Sequence, residues 1–287
     1  MYQIMAGNAT ELLLHAKALE TFLLLSNEKE HKRNFPQPIR RTIHFFLSMV
    51  SIIMREQEPF QTWEPEPTTN EFTLTTQYII GNSSASFHKF ASTLVGEQTL
   101  LCPTLISITA DIRLVVLFTE SYRAHPNAQP LEAEIESIFL LIRSIDRRLL
   151  SLLRTTSAPE IECICLVLYF NVHCDRKECA SANSALCRSL ASQLMNALKR
   201  IHLKVWDQHV STLAWLVFIG MHMSGTRDER GYFLKRLVTC VGNMKLTSRE
   251  ELRQVFLGFP YLDRVYENSL NGIWDEVQQM RKDMQIE

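Results

Sequence analysis

The chain has 287 residues, 46% of them hydrophobic and 21% charged, and its 30 basic and 31 acidic side chains leave a formal net charge of −1. That composition is enough for a sizeable core and the length admits one large domain or two of ~100–200 residues, whereas a protein built to grip phosphate shows a basic surplus that is lacking here. Seven cysteines, an odd number in a long chain, suit a reducing compartment better than a disulfide framework.

The N-terminal apolar runs Leu12 to Leu14 and Phe22 to Leu25 are interrupted by His15, Lys17 and Glu20, so no signal-peptide core forms. No window reaches the ~20 apolar residues of a membrane span. The expectation is an intracellular, soluble protein.

Asn8 with Glu11 marks a helix start, and Leu14, Ala18, Phe22 and Leu25 recur at helical spacing up to the charged run 28–33. Phe35-Pro36-Gln37-Pro38 breaks that helix, and Pro38 opens the next, because its missing N–H is not needed in a first turn. Ile39, Ile43, Phe46, Leu47, Val50 and Met54 are its predicted buried stripe. Between 55 and 72 the sequence turns to Glu, Pro and Thr, with Pro59, Pro65 and Pro67 excluding regular helix and Trp63 alone among polar residues. This reads as a long loop, either a solvated linker or a partner-binding segment.

From 73 to 97 a Ser/Thr-rich stretch carries Tyr78, Ile79, Phe87, Phe90 and Leu94 at the spacing of a helix or a broken pair. Pro103 opens a cleaner helix with Leu105, Ile108, Ile112, Val115, Val116 and Phe118 inward, ending before His125-Pro126. Residues 131–153 form the most regular helix, with Leu131, Ile135, Ile138, Ile142, Ile145, Leu149 and Leu152 apolar and Arg143, Asp146, Arg147 and Arg148 facing out. Pro159 starts a helix to about His173 with Cys163, Leu166, Val167 and Phe170 as core. After the polar connector 175–178, a helix from about Ala180 to Ile201 turns Leu186, Leu190, Leu194 and Leu198 inward. Alternating β-branched runs bounded by Asn-Gly or Asp-Gly turns are missing, and no fixed period repeats, so neither a sheet nor a solenoid is expected.

Five cysteines, Cys163, Cys165, Cys174, Cys179 and Cys187, fall close to His173. Structural zinc sites pair their ligands as C-x₂₋₄-C knuckles, and only Cys174 and Cys179 approach that spacing, so buried thiols in a reduced protein are the expectation. Nucleophile-elbow, phosphate-loop, H-E-x-x-H and dinucleotide patterns are absent, and nine glycines in all leave little for a phosphate cradle. Asp111 and Asp146 are isolated, without the Asp-rich pattern that would hold magnesium against a diphosphate. His202, His209 and His222 lie close in sequence, and His222, between Met221 and Met223, reads as a packing histidine. Glu132, Glu134 and Glu136 open a helix, where negative charge suits the helix dipole. Lys32-Arg33 and Arg40-Arg41 are too short to specify nuclear import.

The stretch 205–280 has more character. An apolar helix, Thr212-Leu-Ala-Trp215-Leu-Val-Phe218-Ile-Gly220, is followed by the break Ser224-Gly225-Thr226 and by Arg230-Gly-Tyr232-Phe233. Ser248 precedes Glu251 as in a capping box, then come Leu252 to Phe259, Leu262-Asp263 and Ile273-Trp274-Asp275-Glu276-Val277. This order resembles the C-terminal end of the fungal-specific transcription factor domain, the helical regulatory region downstream of binuclear zinc-cluster DNA-binding modules. There a Trp-bearing helix ending in Gly, an Arg-x-x-Phe helix, a Leu-Asp segment and a terminal Leu/Ile-Trp-x-Glu-Val helix follow one another. Upstream, Glu162-Cys163-Ile-Cys165-Leu-Val-Leu-Tyr169-Phe-Asn171 is similar to the family's helix with Cys-Arg-Leu and Tyr-Leu-Asn. The resemblance covers roughly the last 130 residues.

What the resemblance implies is an all-α fold, a single array of about ten helices over 1–287, in a nuclear regulator of gene expression. Its partners would be proteins of the transcription machinery and a small-molecule effector. The two Cys-x₂-Cys pairs of a zinc cluster do not occur in this sequence, so direct, specific DNA binding is not expected. Either the protein acts without touching DNA or it is a piece of a longer regulator. Trp206, Trp215, Phe218, Phe233, Phe256, Phe259 and Trp274 are expected to hold the C-terminal helices together or to line an effector pocket. No catalytic, cofactor-binding or metal-binding residue is assigned. Two alternatives stay open, a stand-alone helical interaction protein and an all-α enzyme.

Overall fold

A computed structural model describes residues 37–53, 92–96, 101–124, 131–174 and 184–285, together with helical residues 14–15 and 17–19. The predicted loop at 55–72 with Trp63, most of the 73–97 stretch and Cys179 lie outside the described residues. The fold is all-α, as the sequence predicts. Helices α1 (Gln37–Ile53), α2 (Ser92–Gly96), α3 (Pro103–Ala124), α4 (Glu132–Thr155), α5 (Pro159–His173) and α6 (Ala185–Arg200) are followed by a 3₁₀ turn (Leu203–Gln208). Then come α7 (Val210–Met223), α8 (Arg227–Asn243), α9 (Arg249–Phe256) and α10 (Asp263–Gln285). Among the described residues no helix is long and apolar enough to cross a membrane.

Two helices form the centre. Every residue from Glu162 to Asn171 on α5 and from Thr212 to Met221 on α7 is buried, the pattern of helices enclosed on all sides. Helix α5 packs on α4, α6 and α7, while α7 also meets α6, α8, α9 and α10.

Helix starts follow local chemistry. Ser184 Oγ accepts from the Cys187 N–H (3.1 Å) at the head of α6, which therefore opens later than the predicted Ala180. Thr226 caps α8 by accepting from the Glu229 N–H (3.3 Å). Ser248 and Glu251 form the predicted reciprocal box ahead of α9, at 3.2 and 3.3 Å. At the start of α4 the Glu134 carboxylate accepts from the Leu131 N–H (2.8 Å), and Leu131, expected on the apolar face, is 69% exposed. The short α2 is tied to the far end of the chain, Thr93 and Leu94 donating their N–H groups to the Gly258 carbonyl at 2.9 and 3.3 Å.

Helix α3 buries the six residues predicted for it, and α6 buries its four leucines. Helices α1 and α4 follow expectation in part. On α1 the predicted Leu47 and Val50 are buried and Ile43 and Phe46 pack against the core, but Phe45, Ser48, Met49 and Ile52 are buried as well, Ile39 is 46% exposed, and Met54 lies outside the described residues. On α4 the predicted Ile145 and Leu149 are buried and Ile138, Ile142 and Leu152 pack against the core, while Phe139, Leu141 and Leu153 are buried as well, and with them Asp146, predicted to face solvent but only 1% exposed.

Candidate functional site

The residues that carry the C-terminal pattern meet in space. Gly220 on α7 receives the Phe233 ring of α8, and a Cβ built on Gly220 would stand 2.5 Å from Phe233 Cε1. One turn before Phe233, Arg230 reaches α10 with its fork on Glu276, Nε lying 3.0 Å from Oε2 and Nη2 2.5 Å from Oε1. Its remaining Nη1 donates to the Met221 carbonyl (3.2 Å) at the end of α7. Asp263, the first residue of α10, accepts from Arg253 of α9 at 2.7 and 2.6 Å. Thus each of α8, α9 and α10 is fixed by a bidentate arginine–carboxylate pair, the geometry that gives such pairs directional strength.

The aromatic anchors pack as a continuous set. Trp215 stacks on Phe259 with ring centroids 5.1 Å apart, and Phe218 lies 4.7 Å from Phe256. Trp206, Trp215, Phe218, Phe233, Phe256 and Phe259 are buried, whereas Trp274 is only half-buried. Two tyrosines outside the predicted set of anchors complete the cluster. Tyr261 stacks on Tyr266 at 5.3 Å, and Tyr266 Oη donates to Asn171 Oδ1 (2.6 Å). That bond ties the Tyr169-Phe-Asn171 segment of α5 to α10.

A second cluster lies under α1. Asp146 of α4 accepts from His173 Nε2 on Oδ1 (2.9 Å) and from Ser48 Oγ on Oδ2 (3.0 Å). His44 Nε2 stands 3.3 Å from Oδ2. Ser48 Oγ is also 2.9 Å from Tyr169 Oη. Since the serine has one proton and gives it to the carboxylate, Tyr169 donates to Ser48. Burial alone would raise the Asp146 pKa, but the charge and hydrogen bond of His173, joined by those of His44, outweigh it and hold the carboxyl well below the usual carboxylate range. The Ser, His and Asp are the types of a hydrolytic triad in a different order. Nucleophile activation needs the imidazole between hydroxyl and carboxylate, and here hydroxyl and imidazole bind opposite oxygens of one sealed carboxylate, with Ser48 3%, Asp146 1% and His173 1% exposed.

Among the described residues the cysteines form no metal-binding group. Cys163, Cys165, Cys174 and Cys187 are buried thiols outside any disulfide, Cys174 Sγ donates to the Asn171 carbonyl, and burial pushes the Cys163 and Cys187 thiols up. Among the described residues no group of three His, Cys, Asp or Glu side chains is placed to hold a metal ion. The histidines near α7 have separate surroundings. His202 Nδ1 accepts from the Lys204 N–H, His209 is buried at the head of α7, and His222 Nδ1 is 2.8 Å from Ser269 Oγ, its ring packed on Tyr266 and Phe170. Burial, with the charge of Arg230, lowers the His222 pKa to about 4.

An apolar groove of about 430 Å³ opens on the outer side of α1, between Pro38, Ile39, Ile43 and Phe46 and the helical residues His15 and Leu19. It lies against the N-terminal helical residues and not among the C-terminal aromatics, for which the sequence offers an effector pocket as the alternative to packing between helices.

Comparison of the chain with protein-family models, with curated proteins and with solved structures finds no match.

Proposed function

We propose that this chain is a regulatory domain of the fungal transcription-factor type, working in the nucleus through contacts with proteins of the transcription machinery and under a small-molecule effector. In this reading it binds and transmits rather than makes or breaks bonds, and specific DNA contact belongs to another module or partner. The observation that supports it is the mutual contact of the pattern residues. Gly220 meets Phe233 and Arg230 meets Glu276 within the pattern, while Asp263 and Asn171 of the pattern are joined to Arg253 and Tyr266 from outside it, and such joints between helices are a reason for such residue types to recur at such spacings. The inverted order of Ser48, Asp146 and His173 favours binding over acyl-transfer chemistry.

The test is transcriptional. The chain fused to a DNA-binding module of known site should change reporter expression several-fold in the nucleus, and Arg230→Ala with Glu276→Ala should abolish that change while the fusion stays folded. The chain alone should give no sequence-specific shift of promoter fragments at physiological salt. A flat reporter response from a folded, nuclear fusion would overturn the proposal.

A further inference from the structure

We propose that the surface between α6 and α8 around Tyr232 is a binding site for an oxyanion, a phosphate or carboxylate group, held by Lys199, Arg236 and the Tyr232 hydroxyl. Tyr232 and Arg236 are one turn apart on α8, and Lys199 comes from the last turn of α6. The Arg236 guanidinium carbon lies 4.9 Å and the Lys199 Nζ 5.4 Å from the Tyr232 ring centroid, inside the range of cation–π attraction. Two positive charges therefore share one neutral ring, and they repel each other.

Neighbouring arginines are balanced and this pair is not. Arg200 pairs with Glu162, Arg230 with Glu276 and Arg253 with Asp263, whereas among the described residues neither Lys199 nor Arg236 has a carboxylate partner. The charged or polar groups acting on the Tyr232 hydroxyl are Arg236 and the Cys163 thiol. The thiols nearby supply no countercharge, since burial pushes Cys163 up and Cys240, one turn beyond Arg236, up to about 12, leaving both neutral.

Arg236 Nη1 and Tyr232 Oη are shut off from solvent beside each other, and the hydrogen bond between these two side chains leaves the guanidinium with no anionic acceptor among the described residues. A ligand with two or more anionic oxygens meets the whole set. The guanidinium fork takes two oxygens, the phenol donates to one of them, and the Lys199 head, exposed and on a flexible stem, swings from the ring to close over the anion. This assignment is independent of any role in transcription.

The test is titration of the full chain with inorganic phosphate, pyrophosphate and citrate at constant ionic strength, with chloride as reference, followed by calorimetry and by thermal unfolding. At least one anion should bind at one per chain and raise Tm above the chloride value. Lys199→Gln and Arg236→Gln should each weaken that binding by on the order of tenfold, and Tyr232→Phe by less. The three anions separate a phosphate from a carboxylate ligand. Lys199 is exposed, so its variant folds. Binding unchanged in Lys199→Gln, or no anion bound more tightly than chloride, would overturn the proposal.

Discussion

The Phe233 ring occupies the space that any side chain on Gly220 would need, with Cε1, Cδ1 and Cζ at 2.5, 2.7 and 2.7 Å from a Cβ built there. Both residues are buried and the ring sits in a closed core, so it has nowhere to yield. Gly220→Ala should therefore destabilise the protein by about 1–3 kcal/mol, the usual cost of overpacking. Chemical denaturation measures this as a lower midpoint with an unchanged slope. Shrinking the ring at the same time, in Gly220→Ala with Phe233→Leu, should recover part of the loss, because the two sites touch and their effects do not add. Full additivity in that double variant would mean that the clash is not the cause.

The second prediction concerns acid. Asp146 titrates below its ordinary value of 3.8 in the folded state, so the unfolded chain takes up a proton there before the folded one does. A depressed carboxyl contributes stability that is present above its unfolded pKa and lost as the pH falls through the folded one. Melting temperature should fall steeply below about pH 4, and Asp146→Asn should flatten that decline while lowering stability at neutral pH. Asp146→Ala, which strands His173 and Ser48 in the interior, should cost about 3–5 kcal/mol. An acid limb identical in Asp146→Asn and the parent would show that the cluster does not couple to folding.

The same residue shows where sequence reading stops. Helical periodicity correctly places Leu105, Ile108 and Ile112 on α3 and the four leucines of α6, because apolar residues at 3.6 spacing leave one solution. It fails on α4 because a lone Asp among Arg143, Arg147 and Arg148 reads as part of a solvated face. Its partners are His173, 27 positions later on α5, and Ser48, 98 positions earlier on α1, and no local pattern announces contacts of that range. Ile39 shares a helical face with the buried Val50 but sits in the first turn of α1, where it is exposed. The terminal helices are legible in more detail, as the Gly220, Arg230 and Glu276 positions are each demanded by a neighbour. The Lys199, Tyr232 and Arg236 group is not legible, because its members sit on two helices and each alone is an ordinary surface residue.

Near neutrality a different group governs. His222 has its pKa lowered from 6.5 to about 4 by burial and by Arg230, so it stays neutral in the folded protein while the unfolded chain gains a proton on the way down. Stability should thus be complete above about pH 6.5 and decline toward pH 4. Every tenfold drop in proton affinity is worth about 1.4 kcal/mol, so the loss reaches ~3 kcal/mol. His222→Gln should remove this limb and leave the one below pH 4 intact. The Ser269 hydroxyl bonded to Nδ1 gives a second handle, because Ser269→Ala takes away a partner of the neutral ring without adding charge. An unchanged slope between pH 6.5 and 4 in His222→Gln would assign that limb to another group.

Arg230 links three helices at once, through Glu276 on α10 and the Met221 carbonyl on α7. Its side chain is 38% exposed and that of Glu276 36%, so solvent weakens the Coulomb attraction and what remains rests on the fit of fork to carboxylate. A double-mutant cycle with Arg230→Ala and Glu276→Ala should give a coupling of about 0.5–1 kcal/mol. Arg230→Lys should cost nearly as much as Arg230→Ala, since an ammonium cannot satisfy both carboxylate oxygens and the carbonyl together. Added salt should reduce the coupling only in part, because screening acts on the exposed charge and not on the bond to Met221. A lysine variant as stable as the parent would show that charge alone, and not the bidentate joint, holds α8 to α10.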